Sequence, residues 1–219
     1  PPAAFADVLG LAVAQAGGTM QAHVEGSQAL PLQIAAAARA AVTAVDLANA
    51  GLTGPHDALE GPYGYFKLFD AGVIERYSAS IGSGWRIGDV SIKPWPSGRA
   101  AHATLGVLAA MIRDAGVTAA QVHEVQAHVP PLVGRMIGRP WVPQMTPAYA
   151  RLCLPLLAAL MLSEGRIDPR RFEAATFTDA NLRAIGDRVR VIEVAGDAIA
   201  LSPQRIVVML SDGRVLDRQ

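Results

Sequence analysis

Residues 29–50 leave the chain few choices. After Pro31 no Gly or Pro occurs until Gly51, and Ala dominates the run. Ala is the best helix former, and a proline is tolerated in the first turn, so the run predicts one long helix over 29–50. Ile34, Ala38, Ala41, Val42, Val45 and Ala48 share one face, and the other side is mostly Ala as well. A helix that is small and apolar nearly all round predicts burial among closely packed neighbours. Residues 3–16 read as a second apolar helix, ended by Gly17-Gly18. Tyr63 to Phe69 reads as a short aromatic helix or turn.

The character changes near residue 85. A strand is expected between Trp85 and Trp95, leading into Pro94 and Pro96, with a helix over 99–115. Val122 to Val129 alternates and predicts a half-buried strand, with Val122, Glu124, Gln126 and His128 on one face. A helix over 147–164, kinked at Pro155, is expected next. Short capped helices follow over 168–175 and 179–187. Val189–Val194 and Arg205–Leu210 read as strands, and Asp212-Gly213 as a hairpin turn. The fold class is therefore mixed: an all-α segment, 1–85, followed by an α+β domain, 86–219. The chain opens at Pro1-Pro2, and the return strand from Val215 stops at Gln219. A strand so short is expected not to complete its ladder, so the fold is expected to continue in a parent chain or a partner.

Composition removes several functions. Lys+Arg and Asp+Glu balance at 19 each, which argues against a nucleic-acid binder resting on a basic face. One cysteine, Cys153, excludes an internal disulfide framework and Cys-rich zinc modules. The longest unbroken apolar stretch, Leu152 to Leu162, is too short to span a bilayer. No signal peptide is read, so the expected location is the cytoplasm. His123 and His128 have no Cys or carboxylate beside them at ligand spacing, and no metal is expected there.

The segment from Ile92 to His102, IKPWPSGRAAH, holds the most chemistry. Lys93 is one of two lysines. Ser97 is placed to cap the following helix, leaving Gly98, Arg99 and Ala100 in its first turn, where free N–H groups favour an anion. Arg99 adds a fork that matches a carboxylate. His102 lies one turn further in. Lys93 and His102 are the candidate catalytic residues. Ser97, Gly98, Arg99 and Arg151 are the candidate substrate contacts. The plain alternatives are a solvated lysine, a packed histidine and a surface arginine.

Several motifs together resemble the MmgE/PrpD family, which includes 2-methylcitrate dehydratases, cis-aconitate decarboxylase and iminodisuccinate epimerase. They are Gly51-Leu-Thr-Gly-Pro55 with Leu59-Glu-Gly61, Lys93-Pro-Trp-Pro-Ser97 with His102, Val129-Pro-Pro131, and Ala150-Arg151 before an apolar helix. Their order and spacing follow the family over most of the chain. The resemblance implies that 1–85 is the last part of a helical domain's first segment and that 86–219 is most of an α+β lid. It implies cofactor-free carbanion chemistry beside carboxylates, with Lys93 as the lid lysine facing a small carboxylate or acyl substrate. The rest of the helical domain would come from a second polypeptide or another segment, and a homodimer is a further expectation.

Three departures accompany the resemblance. Where family enzymes carry a Lys and a His at the start of the helix matching 29–50, this chain has Leu30 and Gln33. Where cis-aconitate decarboxylase has a His and a Tyr, it has Gly98 and Leu156. The decarboxylase set is thus incomplete. A dehydratase-type lyase is the leading expectation. A non-catalytic remnant of the family, or an epimerase or isomerase sharing the proton-abstraction step, is the alternative.

Overall fold

The computed structural model describes residues 2–69, 72–196 and 203–219, and they form two compact units. One unit comprises Pro1–His23 and Gln28–Ser91, the other Val24–Ser27 and Ile92–Gln219.

The first unit is helical. Its helices are α1 (Pro2–Gln15), α2 (Gln21–Glu25), α3 (Ala29–Asn49), α4 (Tyr65–Leu68) and α5 (Glu75–Ser78), with α2 running on into the short Val24–Ser27 piece. α1 and α3 pack together. The loop after α3 is fastened to α1 by the Asp7 carboxylate, which accepts from the Gly54 N–H at 3.0 Å. There the backbones meet so closely that a Cβ on Gly54 would stand 2.4 Å from the Asp7 carbonyl oxygen.

α3 corrects one expectation. Only Ala40 and Ala44 are buried on it, while Ile34, Val42 and Val45 are exposed. The alanine stripe packs inside this unit, and the larger apolar face stays bare. By length and apolarity α3 alone among the described helices could cross a membrane, and one such helix is weak evidence for a span.

The expected strand between Trp85 and Trp95 does not form. A 3-10 turn, Arg86–Asp89, occupies its start and irregular chain the rest. Gly88, Pro94 and Pro96 interrupt the segment, and proline cannot donate to a ladder.

The second unit is built on a four-stranded mixed sheet: β1 (Val122–Val129), β2 (Val189–Glu193), β3 (Arg205–Leu210) and β4 (Val215–Arg218), in the order β2-β1-β3-β4. β1 and β2 are parallel, and the other pairs are antiparallel. A register shift between Val122 and Glu124 puts Val122 inside, together with Val125, Ala127 and Val129. Glu124, Gln126 and His128 remain on the outer face, linked in sequence by side-chain hydrogen bonds. The return strand β4 does pair, through four residues from Val215 to Arg218, after the turn at Gly213.

Helices cover the inner face. They are α6 (His102–Ala115), α7 (Pro131–Ile137), α8 (Pro147–Ala150), α9 (Leu154–Glu164), α10 (Ala174–Phe177) and α11 (Ala180–Gly186). α9 is the centre of the core, with eight of its 11 residues buried. The expected kinked helix over 147–164 is two helices, because Pro155 falls in the first turn of α9 and starts it afresh. Asp179 caps α11 through the Asn181 and Leu182 N–H groups, as the sequence predicts.

Candidate functional site

The Ile92–His102 segment crosses the surface of the second unit without regular structure until Arg99. A 3-10 turn, Arg99–Ala101, then leads into α6 at His102. Ser97 does not cap this helix. Gly98 holds the cap position of the turn, no side chain caps either the turn or α6, and Gly98 and Arg99 precede the α-helix instead of sitting in its first turn. The segment is fastened at two points. The Gly98 N–H donates to the Arg151 carbonyl at 3.1 Å, which joins it to the break between α8 and α9. The Lys93 ammonium group donates to the Ser97 carbonyl at 3.2 Å, closing a tight loop around Pro94 and Pro96.

These fastenings bring Lys93, Ser97 and Arg151 to one hollow of about 550 Å³. Pro94, Trp95, Pro96, Ile167 and Pro169 complete its lining. Two cations rim a mostly apolar floor, and no carboxylate is among the lining residues. Such a lining attracts an anion with an apolar body. The Arg151 guanidinium carbon is 5.5 Å from the Phe172 ring centroid, a cation–π contact that holds the fork in place.

His102 is not on the hollow's lining. It is buried, at 4% exposure, and meets Trp95 edge-on with centroids 5.4 Å apart. Neither ring nitrogen makes a well-formed hydrogen bond. Burial first, then the charges of Arg99 and Lys93, push the imidazole below its ordinary value, while the Trp95 and Ser97 backbone pulls the other way. The ring is therefore held neutral in a place where a charge would be costly. Arg99 is exposed and also lies outside the lining.

The positions that differ from the family pattern have structural consequences. Leu156 is wholly buried in the core. A Cβ on Gly98 would stand 2.4 Å from Leu152 Cδ2, so any larger residue there must displace that leucine. Leu30 and Gln33 are half-buried in the helical unit. Among the described residues no group of three His, Cys, Asp or Glu could hold a metal ion.

Sequence reasoning missed Trp95, Ile167, Pro169 and Phe172. Trp95 was legible as a large aromatic inside a proline clamp. The other three lie far along the chain, and only folding brings Ile167 and Pro169 to the hollow and Phe172 to Arg151.

No curated protein matches the chain. Two family models do: the MmgE/PrpD N-terminal domain over residues 1–75 and the MmgE/PrpD C-terminal domain over residues 95–219. The longer match alone covers more than half of the sequence and contains all of the hollow's lining except Lys93 and Pro94. The chain belongs to the MmgE/PrpD family, a family of dehydratase-like lyases.

Proposed function

We propose that this chain carries part of the site of a dehydratase-type lyase acting on a small carboxylate or acyl substrate. One observation supports this most: Lys93 and Arg151 rim the same hollow, and no acid lines it. Arg151 binds the carboxylate, with Ser97 beside it on the lining. Lys93, acting as its neutral amine, takes the proton from the carbon alpha to the carboxylate and becomes the ammonium. The C–O bond at the next carbon breaks, the departing hydroxide takes that same proton back from Lys93 and leaves as water, and an alkene remains. The cations offset the charge that develops on the carboxylate as the proton departs. His102 assists only after Trp95 moves, so Lys93 carries the transfer. An epimerase would share the first step and return the proton to the opposite face.

The remaining part of the site comes from a second polypeptide or segment carrying further helices. The bare face of α3 supports this, because Ile34, Val42 and Val45 form an apolar strip of the kind that another helix covers. A homodimer through the same face is the simpler version. The reaction needs no cofactor in this reading, and the protein works in the cytoplasm.

A second reading, a non-catalytic remnant, draws on Leu156 and Gly98, which supply neither a proton donor nor room for one. Calorimetry with succinate separates the two. The lyase reading expects measurable heat, lost by about tenfold in affinity when Arg151→Ala removes one charge-assisted contact. With the completing polypeptide present, Lys93→Ala abolishes dehydration of 3-hydroxyacyl substrates. Full activity in that variant removes Lys93 from the mechanism, and no heat with any dicarboxylate favours the remnant.

A further inference from the structure

Gln204 is one of the few polar residues in the second unit's interior, at 4% exposure, and it stands immediately before β3. A buried carboxamide is retained at a cost unless both its ends are satisfied. Here both are. Its Nε2 donates to the Ala100 carbonyl at 2.6 Å, and its Oε1 accepts from the Thr104 hydroxyl at 3.0 Å. The Ala100 carbonyl can only accept, which fixes the orientation of the amide. The two bonds span about a hundred residues of sequence and grip both sides of His102. Around them Ala100 and Ala101 are almost fully buried, so the turn cannot shift without opening the core.

This turn has no side-chain cap of its own. Three of the contacts that hold it and the residues leading into it are Lys93 on the Ser97 carbonyl, the Arg151 carbonyl on the Gly98 N–H, and Gln204 on Ala100. Two of the three come from residues on the hollow. The third comes from the residue just before β3, which is not on the hollow's lining.

We propose that Gln204 is a positioning residue for the anion hollow, clamping the Ala100–Thr104 turn to the sheet so that the Ser97–Arg99 backbone keeps its register against Arg151. This rests on the hollow being the substrate site. The clamp acts through Gly98 and Arg99 and contacts no ligand. It also explains the choice of glutamine: a residue that donates at one end and accepts at the other is required, and a leucine of similar volume would leave the Ala100 carbonyl without this donor.

The experiment is hydrogen exchange on the whole chain, with and without succinate, for wild type, Gln204→Leu, Thr104→Val and Gln204→Glu. Gln204→Leu is expected to speed exchange in residues 98–105 by about tenfold, the equivalent of one lost buried hydrogen bond, while β1 and β3 amides change far less. Succinate affinity falls by a similar factor. Thr104→Val, which leaves the Ala100 bond intact, has a smaller effect.

Gln204→Glu, read through succinate affinity at each pH, gives the readout a merely structural role would not move. A protonated glutamic acid reproduces both bonds, and an ionised one sets a charge against the Ala100 carbonyl. Burial raises the carboxyl's pKa, so that variant follows wild type at pH 5 and Gln204→Leu at pH 8. Wild type measured at each pH removes the contribution of His102.

Faster exchange spread evenly through the sheet and turn, an unchanged turn, or a Gln204→Glu variant indifferent to pH overturns the clamp. If Gln204→Leu does not fold, the other two variants carry the test. No succinate binding by wild type, with the exchange pattern as expected, overturns the hollow as an anion site and leaves the clamp as a feature of the fold alone.

Discussion

Two apolar helices in this molecule meet opposite fates. α9 buries eight of its 11 residues and α3 two of its 21. Both are rich in residues that avoid water, and neither has a strongly polar face. The difference lies in what surrounds them. α9 has α6, α11 and β2 against it, whereas the chief neighbour of α3 in its unit is α1. Apolar composition sets the demand for burial, and the topology decides whether the demand is met within the chain.

The strongest way to break this comparison is to delete side chains from α9. Leu160 is wholly buried among large neighbours in the core. Leu160→Ala removes packing that close-packed surroundings cannot replace, and it should cost about 2–5 kcal/mol of unfolding free energy. Urea unfolding of the isolated chain measures it. A cost below about 1 kcal/mol would mean that α9 sits in a looser core than its burial implies.

The same contrast explains what the sequence made legible. The helix over 29–50, the strand from Val122 and the hairpin at Gly213 were all readable, because each depends on local pattern: propensity, alternation or turn chemistry. The break before Pro155 was misread as a kink, since a proline inside a helix and one opening the next look alike until Cys153 is seen in an extended conformation. The burial of α3 was misread for a deeper reason. Periodicity reports which face is apolar, and it is silent on whether anything covers that face. The site divides in the same way. Lys93, Ser97 and Arg151 were named from sequence and meet on the hollow. His102 was named for its place in the segment, and its concealment behind Trp95 depends on side-chain packing that no spacing rule reveals.

A smaller effect follows from that concealment. The His102 imidazole sits below its ordinary value in the folded protein, chiefly because it is buried. Folding therefore favours the neutral ring. Its share of stability is intact above the unfolded value, near 6.5, and is lost as pH falls through the lower folded value. Thermal unfolding of wild type and His102→Gln over this range should show wild type losing ground as the medium becomes acid. His123→Gln, at an exposed histidine on β1, is the matched control. Parallel curves for wild type and His102→Gln would mean that water reaches the ring, and that Trp95 does not shield it.

The least effect is expected on the bare face of α3, and its smallness is the point. Val42 is 67% exposed. Little apolar area is removed from water there when the chain folds, so Val42→Ala should change stability by less than about 0.5 kcal/mol, despite deleting the same kind of atoms as a core substitution. Alanine's higher helix propensity acts in the opposite direction and trims the change further. A loss above about 1 kcal/mol would show that the face is already covered under the conditions of measurement. If the loss grows with protein concentration, the cover is a second copy of the chain, because only association makes stability depend on concentration. A near-zero result in the isolated chain, paired with a clear loss once a helical partner is added, would locate the unmet demand of α3 at that contact.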